Sequence, residues 1–537
     1  MGANSHCFQG RLPLKVLIAD PLAKEGIEVL KTLADVEVKL GQSQDELKSV
    51  IGNYDALVVR SETKVTAAVV EKGSKLLVIG RAGTGVDNID VDAATRRGIV
   101  VVNAPTGNTV SAAEHTIALM LALARHIPQA HASLQAGEWR RKDFMGVEVK
   151  GKVLGVVGLG NVGSEVARRA RCMEMQVVAY DPFVSQERAR NLGAELMSLA
   201  EVLKGSDFVT LHLPLTPETK MVVGRKEIAM LKPTARVINC ARGGLVDEQA
   251  LYEAVEGGKI AGAAADVFTE EPACGNILCR SKKIIVTPHL AASTAEAQVL
   301  VAIDVAKQIA EVLQGRPARY AVNAPLIPAE KFGTLAPFVQ VASSAGRLAS
   351  QLIDGQMSGL LIKYEGEVAT FESTALKAAV VRGLLEGVTD ERVNLVNAGI
   401  IAAQRGLSVV EQKGGVSENY ASLLTIEVTT SAGVTVVAGT VLRGEPHIVR
   451  VNKYWLDIVP TGGHFLFADH KDRPGLIGAV GAVTGKADIN ISSMLVSRLQ
   501  PRGEALMILG LDEALSDKQL EQILAVPDVR TAKMVRL

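Results

Sequence analysis

The chain has 537 residues, which at ordinary domain sizes makes about three or four domains. Hydrophobic residues make up 48 %, enough for several cores, and 58 basic side chains balance 58 acidic ones. Zero net charge points away from nucleic acid and anionic membranes, and five scattered cysteines without a CxxC or HExxH support neither a disulfide framework nor a metal site.

In chain order, residues 1–12 carry no apolar export core and no Arg-rich amphipathic pattern, and His6 stands where a myristoylation motif wants Ser or Thr. The longest apolar run, 117–124, is too short to cross a bilayer. These features predict a cytoplasmic protein in a reducing compartment. Strands are expected at 16–20, 36–40, 56–60, 76–80 and 99–103, with amphipathic stretches such as 23–33 between them. That alternation predicts a small doubly wound parallel sheet. A long apolar helix follows at 110–126.

Residues 152–157 then read as a buried strand, followed by Gly158-Leu159-Gly160-Asn161-Val162-Gly163. A helical pattern occupies 164–175 and a second strand 176–180, ending at Asp181. This βαβ unit is a dinucleotide fingerprint. Gly158 makes the tight turn, Gly160 admits a pyrophosphate, and Gly163 lets helix and strand pack closely. The helix start offers free N–H groups. Asp181 is placed to bind a ribose diol, which favours NAD over NADP. Further strands are expected at 208–213, 235–239, 261–267 and 284–287, and a helix at 294–313 stops at Gly315-Arg316-Pro317. Residues 323–328 look like a linker.

Beyond it the texture changes. Residues 332–359 read as helix, 360–367 and 425–441 as strand, and 376–385 and 392–405 as helix. The last module starts near 463. Strand 465–469, helix 474–486, strands 489–496 and 505–511, helix 517–524 and strand 529–535 give the order βαββαβ, a ferredoxin-like arrangement.

Three polar residues follow successive strands of the dinucleotide sheet. They are Arg242 in Asn239-Cys240-Ala241-Arg242-Gly243-Gly244, Glu271 in Thr269-Glu270-Glu271-Pro272, and His289 in Pro288-His289-Leu290. Singly, each reads as a solvated loop residue. Together at strand C-termini, where ligands of open α/β sheets bind, they supply a cation, a carboxylate and a titratable base.

With these segments the chain resembles the NAD-dependent D-2-hydroxyacid dehydrogenase family, in its motif order and spacing. Val59-Arg60-Ser61, Gly80 to Asn88 and Asn103-Ala104-Pro105-Thr106-Gly107-Asn108 extend the likeness to the long branch that oxidises 3-phospho-D-glycerate. The resemblance implies an α/β architecture of four parts. Residues 1–104 and 298–322 would form a flavodoxin-like substrate domain, and 105–297 a Rossmann-type NAD domain. Residues 327–458 would be an α+β intervening domain and 463–537 a ferredoxin-like ACT domain, signalled by Asp472-Arg473-Pro474-Gly475-Leu476-Ile477.

The implied activity is oxidation of 3-phospho-D-glycerate to 3-phosphohydroxypyruvate, the entry to L-serine synthesis. The alternatives are a dehydrogenase for another 2-hydroxy or 2-oxo acid (glyoxylate, 2-oxoglutarate) and a non-enzymatic NAD-sensing protein. Catalysis would fall to His289 as base, Glu271 as its orienting partner and Arg242 on the carboxylate. Thr84, Gly158, Gly160, Asn161, Val162, Gly163, Asp181, Cys240 and Asp266 would bind NAD, with Asp266 reaching the nicotinamide amide. Arg60, Arg81, Gly83 and Asn108 would hold substrate, and Arg141 would add charge to a neighbouring subunit's site. Trp139 and Phe144 would anchor a homodimer, or a homotetramer built on it. His470, Asp472 and Asn490 would form an effector site for L-serine, although serine-responsive relatives often carry an amide where this chain has Asp472.

Overall fold

The computed structural model describes residues 14–325, 331–389, 391–417, 419–460 and 462–537. The leader reading at 1–12 and the later part of the 323–328 linker lie outside these residues. Four sheets organise the chain.

The first sheet has strands β1 (Lys15–Ile18), β2 (Asp35–Val38), β3 (Ala56–Val59), β4 (Val78–Arg81) and β5 (Val100–Asn103), all parallel, in the order β2-β1-β3-β4-β5. Its central strand reads Ala-Leu-Val-Val and is buried at every residue, as expected of a sheet covered on both faces. One cover comes from far along the chain. The helix Ala295–Leu313 returns to lay Val301, Val305, Ala306 and Ile309 against Val16, Ile18, Val58 and Val78.

The second sheet has β6 (Val153–Val157), β7 (Gln176–Tyr180), β8 (Glu195–Leu196), β9 (Phe208–Leu211), β10 (Arg236–Asn239), β11 (Gly262–Ala265) and β12 (Ile284–Val286). Its order is β12-β11-β10-β9-β6-β7-β8, again all parallel, so the winding reverses between β6 and β9. The helix Thr109–Arg125 packs Leu119, Met120 and Leu123 onto one face.

The third sheet has β13 (Met357–Gly366), β14 (Ser408–Lys413), β15 (Ser422–Thr430), β16 (Gly433–Leu442), β17 (Glu445–Val451) and β18 (Tyr454–Ile458), ordered β14-β13-β15-β16-β17-β18. Only the β13–β14 pair is parallel. The helices Phe332–Leu352 and Thr374–Leu385 cross beside it at Gly346 and Gly383. A Cβ on either would overlap backbone of the other helix.

The fourth sheet has β19 (His464–Lys471), β20 (Ile491–Arg498), β21 (Glu504–Leu511) and β22 (Val529–Arg536), antiparallel in the order β20-β21-β19-β22. With the helices Leu476–Lys486 and Asp517–Leu524 this is βαββαβ. The period-two alternation of β19 splits its faces. Leu466 and Ala468 pack on the module's own helices, while Phe465 and Phe467 join the core of the third sheet.

Some elements differ from the sequence reading. The helix expected at 392–405 occupies only Ala398–Gln404. Asn397 Oδ1 accepts from Asn394 N–H, and Asn394 Oδ1 accepts from Val396 N–H, so Asn side chains capture the backbone groups a helix would use. The strand expected at 425–441 is two strands. Thr430 Oγ1 accepts from Ala432 N–H and closes the turn between them. The helix expected at 332–359 stops at Leu352, and the one expected from Ser164 already begins at Asn161. Strands β14, β17 and β18 were not foreseen at all. β14 buries no residue and β17 opens on exposed and half-buried residues, while the five-residue β18 alternates buried and exposed residues and is simply short.

Candidate active site

Both parallel sheets reverse winding, and the crevice beyond the strand ends at such a point accepts ligands. In the first sheet the reversal lies between β1 and β3, and in the second between β6 and β9. A cavity of about 890 Å³ opens between the two sheets. Arg60, Arg81, Gly83, Thr84 and Asn108 line one side, and Arg242, Glu271 and His289 the other. Among the described residues no cluster of His, Cys, Asp and Glu could hold a metal ion.

His289 Nδ1 lies 2.8 Å from Glu271 Oε2. Glu271 is itself held, since Phe268 N–H donates to its Oε1 at 3.1 Å. The Glu271–Pro272 peptide bond is cis. With Nδ1 committed to the carboxylate, the imidazole presents Nε2 on its far side. His289 has left-handed backbone (φ 54°), an uncommon conformation that only surrounding contacts maintain. Those contacts converge on Asp266. His289 N–H donates to Asp266 O, Thr287 Oγ1 and Leu290 N–H donate to Asp266 Oδ1, and Ala291 N–H donates to Asp266 Oδ2.

Arg242 projects from the end of β10. Asn239 clamps this turn, accepting from Ala241 N–H and donating to Arg242 O. Gly243 lies so close to Phe268 O that no side chain fits there. The guanidinium reaches the first sheet's loop, with Nε 3.4 Å from Asp87 Oδ2. Arg81 lies beside it. Burial first, then the Arg242 cation, lowers the Arg81 pKa to about 10, and its Nε has no hydrogen-bond partner among the described residues. A Cβ on Gly83 would overlap the Arg81 guanidinium, and one on Gly85 that of Arg242. Three arginines thus face one cavity, an arrangement that an anion stabilises.

The Arg60 loop hangs on Asp20 at the end of β1. Asp20 is nearly fully buried and accepts from Arg60 N–H, Thr63 N–H and Thr63 Oγ1. Asn88 donates to Arg60 O and Thr63 O. Thr84 Oγ1 donates to Asn108 Oδ1 at 2.7 Å.

Apart from Thr84, which stands on the first sheet's side of the cavity, the expected cofactor residues fall in two groups. Gly158, Gly160, Asn161, Val162 and Gly163 join β6 to the helix Asn161–Cys172. This segment fits a dinucleotide. Gly158 has φ 97° and lies within 2.6 Å of His212 O for an added Cβ, whereas Gly160 faces open space. No side chain caps the helix and no acid stands in its first turn, so its N–H groups remain available to phosphate. Asp181 accepts from Leu159 N–H and Phe183 N–H, tying the glycine turn to the end of β7. Cys240 and Asp266 form the other group and are buried. Burial raises the Cys240 thiol to about 12, keeping it protonated. The Asp266 carboxylate is wholly enclosed, with His115 Nε2 3.3 Å from Oδ1.

Arg141 lies outside the cavity, on the exposed turn Arg141–Phe144. In the terminal module, His470 is buried, Asp472 accepts from Arg498 Nη1 and Arg502 N–H, and Asn490 donates to Asp512 Oδ2. These three residues make no hydrogen bond to one another among the described residues. The sequence reading missed Asp20, Asp87, Asn88 and His115. Only Asp20 carried a signal, since it ends an apolar strand at the winding reversal, as Asp181 ends β7.

Residues 117–291 match the family model "D-isomer specific 2-hydroxyacid dehydrogenase, NAD binding domain". Residues 334–452 match "D-3-phosphoglycerate dehydrogenase intervening domain". The chain is 47 % identical over 532 residues to a D-3-phosphoglycerate dehydrogenase of Synechocystis sp., covering 99 % of this chain and 96 % of that one. It is 45 % identical to a D-3-phosphoglycerate dehydrogenase of Methanocaldococcus jannaschii, covering 98 % and 100 %. Among solved structures, D-lactate dehydrogenase from Aquifex aeolicus complexed with NAD and lactic acid superposes with a TM-score of 0.51 at 27 % identity, covering 56 % of this chain and 96 % of that one.

Proposed function

We propose, from the premise that the chain belongs to the D-3-phosphoglycerate dehydrogenase family, that it oxidises 3-phospho-D-glycerate to 3-phosphohydroxypyruvate with NAD as hydride acceptor. This is the first step of the phosphorylated route to L-serine. The observation that carries the reading is the held His289–Glu271 pair facing three arginines across one cavity. Bound NAD supplies the acceptor for the hydride that leaves substrate C2. His289 Nε2 takes the proton of the 2-hydroxyl as that C–H bond breaks, and Glu271 stabilises the imidazolium that forms. Arg242 pairs with the substrate carboxylate and with charge on the new carbonyl oxygen, where its planar fork fits. The backbone at Gly83 approaches the same carboxylate. Arg60 and Arg81 grip the 3-phosphate, with Asn108 closing the wall, and Thr84, hydrogen-bonded to Asn108, faces the NAD side. The glycine turn, Asn161 and Val162 would hold the pyrophosphate of NAD and Asp181 its adenosine ribose; Cys240 would line the site, and the enclosed Asp266 carboxylate would act through the backbone it holds rather than reach the nicotinamide amide.

Asp266 serves this function through its neighbours, because it anchors the segment that carries His289. The family implies an oligomer, and we assign its dimer contact to the face bearing Trp139 and Phe144, where Trp139 is 81 % exposed in the single chain. There Arg141 would reach a neighbouring site. L-serine acts as effector at His470, Asp472 and Asn490. The described cysteines Cys172, Cys240, Cys274 and Cys279 are free thiols.

The test is the steady-state formation of NADH from 3-phosphoglycerate, D-lactate and D-glycerate in parallel. A kcat/KM that favours the phosphorylated acid by about 10-fold or more, the value of one charge-assisted contact, is expected. Equal turnover of all three, or a preference for glyoxylate in reverse, would overturn the substrate.

A further inference from the structure

A second cavity, of about 260 Å³, lies between the third and fourth sheets, far in the chain from the residues that line the first. Its floor is the face of the terminal sheet that turns towards the intervening module. Its roof is the β15–β16 turn and Tyr454, which is almost fully buried. Two charged groups stand on the floor. Asp469 of β19 pairs in register with Thr531 of β22, and Lys533 pairs with Phe467. Asp469 and Lys533 are therefore diagonal neighbours on one face, about 7–8 Å apart at the backbone. They do not pair with each other. Lys533 Nζ donates to Leu352 O at 2.7 Å and Asp354 Oδ1 at 2.8 Å, which leaves one of its three N–H bonds. Asp469 Oδ1 is buried with no hydrogen-bond donor among the described residues. Burial raises the Asp469 pKa although Arg530 and Lys453 lie near enough to lower it. A buried carboxylate oxygen without a donor is costly and calls for an explanation.

We propose that this intermodule cavity is a binding site for a small zwitterion of α-amino-acid size, its ammonium on Asp469 and its carboxylate on the remaining N–H of Lys533. The ammonium supplies the donor that Asp469 lacks. The site differs from the effector residues suggested above, because His470 points to the opposite face of β19 from Asp469. Its occupant would bridge the two modules, since the walls come from both.

The experiment is calorimetry on the full chain with glycine, L-alanine and L-serine, with N-acetylglycine (no ammonium) and glycinamide (no carboxylate) as controls. Saturable binding of at least one zwitterion and none of N-acetylglycine is expected. Asp469→Asn should weaken that binding about 10- to 100-fold, the loss of one charge-assisted contact. The same variant should fold with an unchanged circular-dichroism spectrum, because Asp469 Oδ1 has no hydrogen-bond donor to lose. Lys533→Met should lose the preference over glycinamide, and Asn490→Ala should retain the site. No heat from any zwitterion, or binding that survives Asp469→Asn and vanishes in Asn490→Ala, would overturn the proposal.

Discussion

His289 works from an uncommon backbone conformation, and its neighbours supply what keeps it there. Glu271 holds the ring, Asp266 holds the peptide groups on either side, and both carboxylates are themselves fixed by backbone N–H groups. His289→Ala should therefore cut kcat by about 10²–10⁴-fold, the range for a lost general base, while NAD binding persists in fluorescence titration. Near-normal turnover would remove it from the reaction. Arg81 offers a substrate test. Its guanidinium lies in the cavity wall beside Arg242, with Nε unpartnered among the described residues. Arg81→Ala should raise KM for 3-phosphoglycerate about 10-fold or more, the loss of one charge-assisted contact, with KM for D-lactate little changed. Equal losses on both acids would show that Arg81 does not meet the phosphate. At this scale the sequence is informative where a polar residue stands in the turn just after an apolar strand, as with Arg242 and His289. It is silent on Asp87, which meets Arg242 only because two sheets face each other across the cavity.

The two parallel sheets were legible almost strand for strand because burial on both faces writes continuous apolar runs, such as Ala56–Val59. The third sheet was not. β14 alternates exposed and half-buried residues, and β17 opens on Glu445-Pro446-His447 before its buried residues begin. Side-chain turns at Asn394–Asn397 likewise overrode a helical pattern, which depends on tertiary placement. Elements from different modules meet at Glu504 of β21. Lys453, in the β17–β18 turn, and Arg530 of β22 both pair with it and lower its pKa from 4.5 to about 2. The folded value is depressed, so the stabilisation is fully present above about pH 4.5 and is lost as pH falls towards about 2. Acid unfolding followed by circular dichroism should show this loss, and Glu504→Gln should flatten the curve over that window. An identical acid profile in the variant would mean that these exposed pairs contribute nothing measurable, as many do not.

At the scale of the whole molecule, the two C-terminal modules can act on the cleft only through physical contact, or a ligand bound to them changes nothing there. One such contact joins the segment before the helix Ala398–Gln404 to the first sheet. Arg392 Nη1 donates to Leu76 O at 3.0 Å and Asn394 Nδ2 donates to Gly98 O at 2.5 Å. Leu76 and Gly98 lead into β4 and β5, and β4 ends at Arg81 in the cavity wall. The sheet is thus held at its N-terminal edge by the intervening module and carries the substrate loops at its other edge. Gly98 has φ 65°, and a Cβ there would come within 2.8 Å of Asn397 Nδ2 and 2.9 Å of Asn394 Nδ2. Gly98→Ala should push the segment off at a cost above about 1 kcal/mol, since the backbone conformation also disfavours a side chain. Calorimetric scanning should then resolve the first sheet and the intervening module as separate transitions where the parent protein melts them together. Any inhibition by an amino acid at the far modules should weaken in the same variant, with KM for 3-phosphoglycerate little changed. If inhibition persists at full strength while the transitions separate, control does not pass through this contact.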